Sequence, residues 1–596
     1  MPTYKAPVDD VMFLLSDVFH IDRYNNLPGF ADATPDLLEA VLEEAGKFCE
    51  DVLTPLNRVG DKEGCRRHDD GSVTTPTGFK EAYKRLIEGG WIGASSPPEF
   101  GGQGLPRVLS QAIGEFLVSA NMAFAMYSGL TQGAAAALLV HGSPEQKALY
   151  LPKLVSGQWT GTMNLTEPQC GTDLGLTRSR AVPQPDGSYK ITGTKIFISA
   201  GEHDLAENIV HLVLARIEGA PEGVKGISLF VVPKFLPTKD GAVGARNAVS
   251  CGSIEEKMGI HGNSTCVMNY DGATGWLVGE PNRGLNAMFV MMNGARLAVG
   301  VQGLGLTEAA YQNAAAYAKE RVQGRSLAPG TKSDKAADPI IVHGDVRRSL
   351  LTARAWAEGG RAFSYWLALM ADQQHHHPEA SERQFAADMM ALMTPVAKAF
   401  LTDNAFDGVS QCLQVFGGHG YIHESGMEQL LRDARINMIY EGTNAVQALD
   451  LLYRKVLMDN GAKLRAFGKL VQDFISEHGS SVEMNEFVTP LADLGDKVQK
   501  LTMEIGMKAM GNPEEVGAAA VSYLRVIGHL VFAYFWAKMA RVALDRLGAA
   551  GADPFYRAKL ATARFYVQRL LPETAYHIRA ARSGAKNLME LEAELF

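Results

Sequence analysis

A carboxylate works as a general base only where its surroundings raise its hold on a proton, and one segment of the chain combines the conditions for that. Ile439-Tyr440-Glu441-Gly442-Thr443-Asn444 places an acid after Ile436, Met438, Ile439 and Tyr440, and before Gly442, where a helix breaks or starts anew. A carboxyl in an apolar setting has a raised pKa, which suits proton abstraction near neutrality. On spacing alone, a solvated surface glutamate is the competing reading. Three more segments carry usable chemistry. Leu165-Thr166-Glu167-Pro168-Gln169-Cys170-Gly171-Thr172-Asp173 is rich in backbone and hydroxyl donors, and Lys195-Ile196-Phe197-Ile198-Ser199 has the alternation of a strand. Gln414-Val415-Phe416-Gly417-Gly418-His419-Gly420-Tyr421 precedes Glu441 by about twenty residues. Gly300-x-x-Gly303-x-Gly305 and Gly417-Gly418-x-Gly420 lack the Gly-x-Gly-x-x-Gly order and a flanking βαβ unit, and no Walker A sequence occurs. A dinucleotide would have to bind by another route. His375-His376-His377 has no partner ligand at helical spacing, so a solvated loop over 373–381 is favoured over a metal site.

The elements that must position these residues follow from periodicity. Leu37, Leu38, Val41, Leu42, Ala45 and Phe48 form a helical stripe in a region, 1–160, that reads as helical. Pro97-Pro98 and Gly101-Gly102-Gln103-Gly104 interrupt it with a loop, and a further helix over 134–140 stops at His141-Gly142-Ser143-Pro144. From about residue 160 to 279, short β runs alternate with turns, at 189–192, 195–199, 210–215, 227–232 and 266–270. Asp186-Gly187 is a hairpin turn leading into the first. Helices resume at 285 and continue to the end, with an exposed polar loop over 326–338 that carries Ala328-Pro329-Gly330. The expected domains are 1–160 helical, 161–280 β, 281–455 helical with the base, and 456–596 an additional helical region.

Composition bounds the function. The chain has 596 residues, 46% hydrophobic and 21% charged, so several globular cores are expected and wholesale disorder is excluded. A net charge of −9 argues against a general nucleic-acid surface. Six cysteines without a Cys-x-x-Cys pair fit a reducing compartment. No secretory signal opens the chain, and the apolar window 526–537 contains His529 and is followed by Lys538 and Arg541, as a buried helix would be. A soluble, cytoplasmic protein is expected.

Together with Pro98-Glu99-Phe100-Gly101-Gly102-Gln103-Gly104, the four chemical segments resemble the signature segments of the acyl-CoA dehydrogenase family, in that family's order, over roughly residues 35–455. The resemblance implies a mostly α fold with an inserted β domain (α bundle, β barrel or sandwich, α bundle) plus the extra C-terminal helical domain. It implies FAD-dependent α,β-dehydrogenation of an acyl-CoA thioester with Glu441 as catalytic base. For the cofactor it implies contacts from Leu165, Thr166, Gly171, Thr172, Phe197, Ser199 and Thr443. Arg321, Gln414 and Gly418 match residues that hold the cofactor of a neighbouring subunit, hence a homodimer. Thr172, Tyr440 and Gly442 match substrate contacts, an electron-transferring flavoprotein is the implied acceptor, and no metal is implied. Three departures bear on substrate preference: Ala445 replaces a frequent glutamine, Gly324-Arg325 follows Arg321 in place of Phe-Gly-Lys, and Cys266 replaces a frequent arginine.

Beyond 455, Phe532, Phe535 and Trp536 precede Arg541, Arg546, Arg557, Lys559, Arg564, Arg569, Arg579, Arg582 and Lys586, with few acids between them. A membrane-surface helix and DNA binding are the sharp readings of that run; a helical domain packed on its own bundle is favoured. The extension, the His261-Gly262-Asn263-Ser264-Thr265-Cys266 variant and the Tyr440-Glu441-Gly442-Thr443-Asn444-Ala445-Val446-Gln447 end together resemble family members that act on 3-methylmercaptopropionyl-CoA, which implies that substrate, in dimethylsulfoniopropionate demethylation. A general short- or medium-chain dehydrogenase of β-oxidation is the alternative, and a flavin-containing DNA-binding protein of the same fold is the alternative from another class.

Overall fold

The computed structural model describes residues 2–328, 334, 336–550 and 553–596, with 549 and 550 as backbone. The chain divides into two units, 41–298 and 1–40 with 299–596.

In the unit 41–298, the helices Arg107–His141 and Pro144–Val155 lead into a β sheet. Five strands close a ring: Thr265–Val278, Tyr189–Ser199, Arg180–Pro183, Asn208–Ile217 and Ile227–Pro233, the last pairing with the first. Val249–Ile254 pairs in addition with Thr265–Val278, and Trp159–Asn164 with Asn208–Ile217. Both faces of Asn208–Ile217 are covered, so it reads as one apolar run. Val210, Leu212 and Leu214 pack with Leu138, Tyr150 and Met291 of the surrounding helices, while Val213 and Ala215 join Ile191, Ile198, Phe230 and Met268. Gly161 lets Arg107–His141 lie against the sheet, since a Cβ there would stand 2.3 Å from that of Ala134. That helix is interrupted at Asn121, whose backbone is extended and whose Oδ1 accepts from the Phe124 N–H.

In the other unit, Gly344–His376, Ala380–Val415 and Glu514–Ala550 carry the core. Phe532 packs edge-on to Trp356 and Phe400, Phe535 packs on Trp366, and Trp536 stacks on Tyr566. The C-terminal helices are thus part of the same bundle. The first 40 residues belong here and not with the helices that follow them in sequence. Asp10, in Val8–Met12, pairs with buried Arg361 and Lys559, and Phe13 packs edge-on to Phe555.

The α–β–α order with an added helical region is the architecture predicted. Details differ. The runs at 189–192 and 195–199 are one strand, while Trp159–Asn164, Arg180–Pro183 and Val249–Ile254 carry no clear signal in the sequence. His375 and His376 end the helix Gly344–His376 and do not lie in a loop that starts at 373; no metal-ligating cluster occurs among the described residues. In the 326–338 loop, 329–333 and 335 lie outside the described residues. Buried Asp338 closes its base by accepting from the Ser326 N–H and pairing with Arg325. Three helices are long and apolar enough to cross a membrane by length and composition, and the apolar window of each is 61–78% buried within the protein.

Candidate active site

The predicted residues form two groups, one in each unit. In the β unit, the strand Tyr189–Ser199 does not run straight to its end. Its register against Thr265–Val278 slips between Lys195↔Met268 and Ile198↔Cys266, so Ile196 and Phe197 together oppose Val267. This is a β-bulge with Phe197 at φ +58°, a backbone conformation normally left to glycine. The bulge turns the Phe197 ring outward, leaving it 60% exposed. The Thr166 carbonyl accepts from the Ile196 N–H at 2.9 Å, which sets the Leu165–Asp173 segment beside the bulge. Gly171 packs near the Thr166 methyl, where its Cβ would lie 3.5 Å away.

Beneath that segment lies an ion pair to which the sequence reading attached no role. Lys195, fully buried, donates to the Glu167 carboxylate at 2.8 Å and to the Leu165 carbonyl at 2.9 Å. Glu167 also accepts from the Arg178 and Ser179 N–H groups, the Ser179 hydroxyl and the Gln169 amide. Burial alone would raise its pKa; the Lys195 ammonium and these donors hold it down at about 2. The signal was present, since a lysine between Thr194 and the apolar Ile196-Phe197-Ile198 needs a buried partner.

In the other unit, Glu441 follows the helix Met427–Arg435 and a short 3-10 turn. It is half-buried, and it and Gly442 stand at φ +59° and +85°, two successive left-handed residues. For a glutamate this conformation costs of order 1 kcal/mol. Surrounding side chains hold it there. Gln447 donates to the Glu441 carbonyl at 3.0 Å, and buried Lys398 donates to the Gly442 carbonyl at 2.9 Å and to Asn444 at 2.8 Å. Asn444 in turn donates to Asp403 and Thr402. Lys398 went unnoticed in the sequence, although it is the only charge between Leu392 and Leu401. Thr443, exposed, is the N-cap of Asn444–Leu449, and its hydroxyl makes no capping bond. Tyr440 turns its hydroxyl to Gln302 and Asn437; burial and the Glu441 charge raise its pKa.

Arg321 and the Gln414–Gly418 segment are linked through Tyr317, one helical turn before Arg321. Its ring stacks on Phe416 at 4.2 Å, and its hydroxyl meets His419 Nδ1 at 3.0 Å. Arg321, Gln414 and Gly418 are all exposed, and a Cβ at Gly418 would meet nothing within 4 Å. Cys266 is fully buried within the sheet beside Met268 and Cys251.

The β-unit group suits a flat ring with polar edges. The hydroxyls of Thr166, Thr172 and Ser199 have no hydrogen-bond partner among the described residues, and the Phe197 ring, on the same strand as Ser199, is exposed. An isoalloxazine needs such a surface, apolar against its face and donating at its edge.

Comparison with known proteins bears on the whole chain. Models of the N-terminal, middle and C-terminal domains of acyl-CoA dehydrogenases match residues 35–158, 162–273 and 282–456, and the model "Acetyl-CoA dehydrogenase C-terminal like" matches 467–592. The chain is 44% identical to a 3-methylmercaptopropionyl-CoA dehydrogenase of Ruegeria pomeroyi, over 98% of each. It is 34% identical to a butyryl-CoA dehydrogenase of Syntrophomonas wolfei, over 100% of this chain and 99% of the other. The fold is also that of Caenorhabditis elegans ACDH-11, solved in complex with C11-CoA (TM-score 0.79, 21% identity, 99% and 96% covered). A Bacillus anthracis acyl-CoA dehydrogenase complexed with FAD aligns with TM-score 0.74 at 21% identity, over 95% of this chain and 90% of the other. Four matched domains in order, and relatives aligned along nearly the whole length, show that the chain belongs to the acyl-CoA dehydrogenase family of FAD-dependent oxidoreductases.

Proposed function

We propose that the protein oxidises 3-methylmercaptopropionyl-CoA to its 2,3-enoyl thioester, with Glu441 as the base and an electron-transferring flavoprotein as acceptor, working as a cytoplasmic homodimer. The observation that carries the reaction is Glu441 itself, a carboxylate on a left-handed backbone held in place by Gln447 and Lys398. A thioester α-proton is weakly acidic, so its removal needs a carboxylate that is partly desolvated and does not reorganise as the proton moves. Half-burial of Glu441 and the fixing of its backbone by Gln447 and Lys398 support both needs. FAD, when bound, supplies the acceptor for the β-hydride. In the β unit, the exposed Phe197 ring and the Thr166 and Ser199 hydroxyls would hold its ring, and the Thr172 hydroxyl its pyrophosphate. Arg321, Gln414 and Gly418, exposed around the Tyr317 stack, would reach the cofactor of a second subunit. The 44% identity to the Ruegeria enzyme supports the substrate, and six free cysteines support a reducing compartment.

The thioether chain is nearly the size of a pentanoyl or hexanoyl chain, and one methylene changes discrimination by only about 1–3 kcal/mol. The test is therefore a comparison of rates. In anaerobic stopped flow at saturating substrate, the methylthio thioester should bleach the flavin at least tenfold faster than pentanoyl- or hexanoyl-CoA. Equal rates would make this a general short- or medium-chain acyl-CoA dehydrogenase.

A further inference from the structure

The Lys195–Glu167 pair poses a question that the reaction does not answer. Removing two charges from water is costly, and an apolar pair of similar volume fills such a site as well or better. The carbonyl of Leu165 needs a donor, yet a neutral side chain would satisfy it. What a neutral group cannot do is polarise the peptide it touches. The Leu165 carbonyl and the Thr166 N–H belong to one peptide unit. Lys195 donates to the carbonyl end at 2.9 Å, and the N–H end has no partner among the described residues. A cation on a carbonyl draws density from the amide nitrogen, so the N–H becomes a stronger donor, as in any cooperative hydrogen-bond chain. Glu167 attenuates this only in part, because its charge is shared among four further donors from Gln169, Arg178 and Ser179.

We propose that Lys195 is a positioning residue that tunes the flavin through the Leu165–Thr166 peptide, strengthening the Thr166 N–H as a donor to the ring edge and so favouring the reduced cofactor. This rests on the reading that the Leu165–Thr172 segment holds the ring. The ammonium itself is fully buried and is spent on protein acceptors. Its effect on the cofactor therefore passes through the peptide.

Two variants separate tuning from mere support. Lys195→Met/Glu167→Gln removes both charges and the polarising contact; Glu167→Gln removes only the counter-charge, and its midpoint is read from pH 8 down to 5.5 so that Lys195, whose burial favours the neutral amine, is followed into its charged form on Leu165. For each, the affinity of apoprotein for oxidised FAD is measured by fluorescence quenching, and the two-electron midpoint by dye equilibration. The double variant should lower the affinity for reduced relative to oxidised FAD about tenfold, a midpoint more negative by about 30 mV. Glu167→Gln should move the midpoint the other way, by at least twofold in that ratio. A structural tie alone would weaken FAD binding in both variants without splitting the sign of the midpoint shift. Shifts of the same sign, or no shift in either variant, would overturn the proposal while FAD binding by the wild type stands. If the double variant does not fold by circular dichroism, the sign for Glu167→Gln decides alone. A wild-type apoprotein that binds no FAD would overturn this proposal and the placement of the cofactor together.

Discussion

Phe197 and Glu441 share a conformation that their residue types disfavour, at φ +58° and +59°. Strain of that kind persists only where neighbours over-determine it, and it clusters where a side chain must be aimed. Glu441 stands out by its chemistry and Phe197 by the family resemblance, and nothing in their letters announces the backbone they adopt. Buried histidines tell a complementary story. His203 and His211, in the β unit, are held at about 3 by burial and by the nearby Lys234 charge, and His529 at about 4, chiefly by burial. Each is neutral when folded and has an ordinary value near 6.5 when unfolded. Between pH 6.5 and 4.5 the unfolded chain therefore binds protons that the native chain does not, and stability falls as pH falls. Above 6.5 the histidines contribute no pH dependence. We expect the apparent Tm to drop steadily from pH 6.5 to 4.5, before the depressed carboxyl of Glu167 begins to titrate, and to drop less steeply in His211→Gln. A flat Tm across that window would contradict the buried neutral state.

The elements that carry the site were legible wherever one face was apolar and the other polar, and illegible where the interior itself is polar. Trp159–Asn164 shows why. Thr160, Thr162 and Asn164 are fully buried, but they face His203, His211 and Tyr270 and hydrogen-bond to them directly or to one another. A strand whose core-facing residues are polar leaves no apolar alternation to read. The bulge at Phe197 was hidden for a similar reason, because register is a property of two strands. Helix contacts were partly legible. Phe532, Phe535 and Trp536 marked a core helix, but Gly528 within it gave no sign that its missing Cβ matters. A Cβ there would stand 2.2 Å from the Phe400 ring, and one at Gly359 would stand 2.7 Å from Phe532. Gly528→Ala should therefore cost about 1–3 kcal/mol through overpacking, read as a lower apparent Tm. Gly517→Ala, on the same helix with nothing within 4 Å, should be neutral or gain up to about 1 kcal/mol. Equal effects at the two positions would show that the extension is not packed as described.

Across the chain, family and reaction class were written in a handful of short segments, while the role of the C-terminal region was not. Its run of basic residues left an anionic partner open beside the favoured packed helical domain, because the answering acids are distant in sequence. In the folded protein Arg546 pairs with Asp17, Lys559 with Asp10 and Glu358, Arg564 with Glu486, and Arg582 with Glu504. Much of that charge is thus committed within the bundle, whose core includes both the first forty residues and the last hundred. The proposed chemistry of this bundle rests on one carboxylate. The most direct test is anaerobic mixing of FAD-loaded Glu441→Gln with the methylthio acyl-CoA, followed at the flavin absorbance. We expect the variant to keep its FAD and bind the thioester, with flavin reduction slowed by at least about 100-fold, the range for loss of a general base. Bleaching at the wild-type rate would show that another group takes the proton.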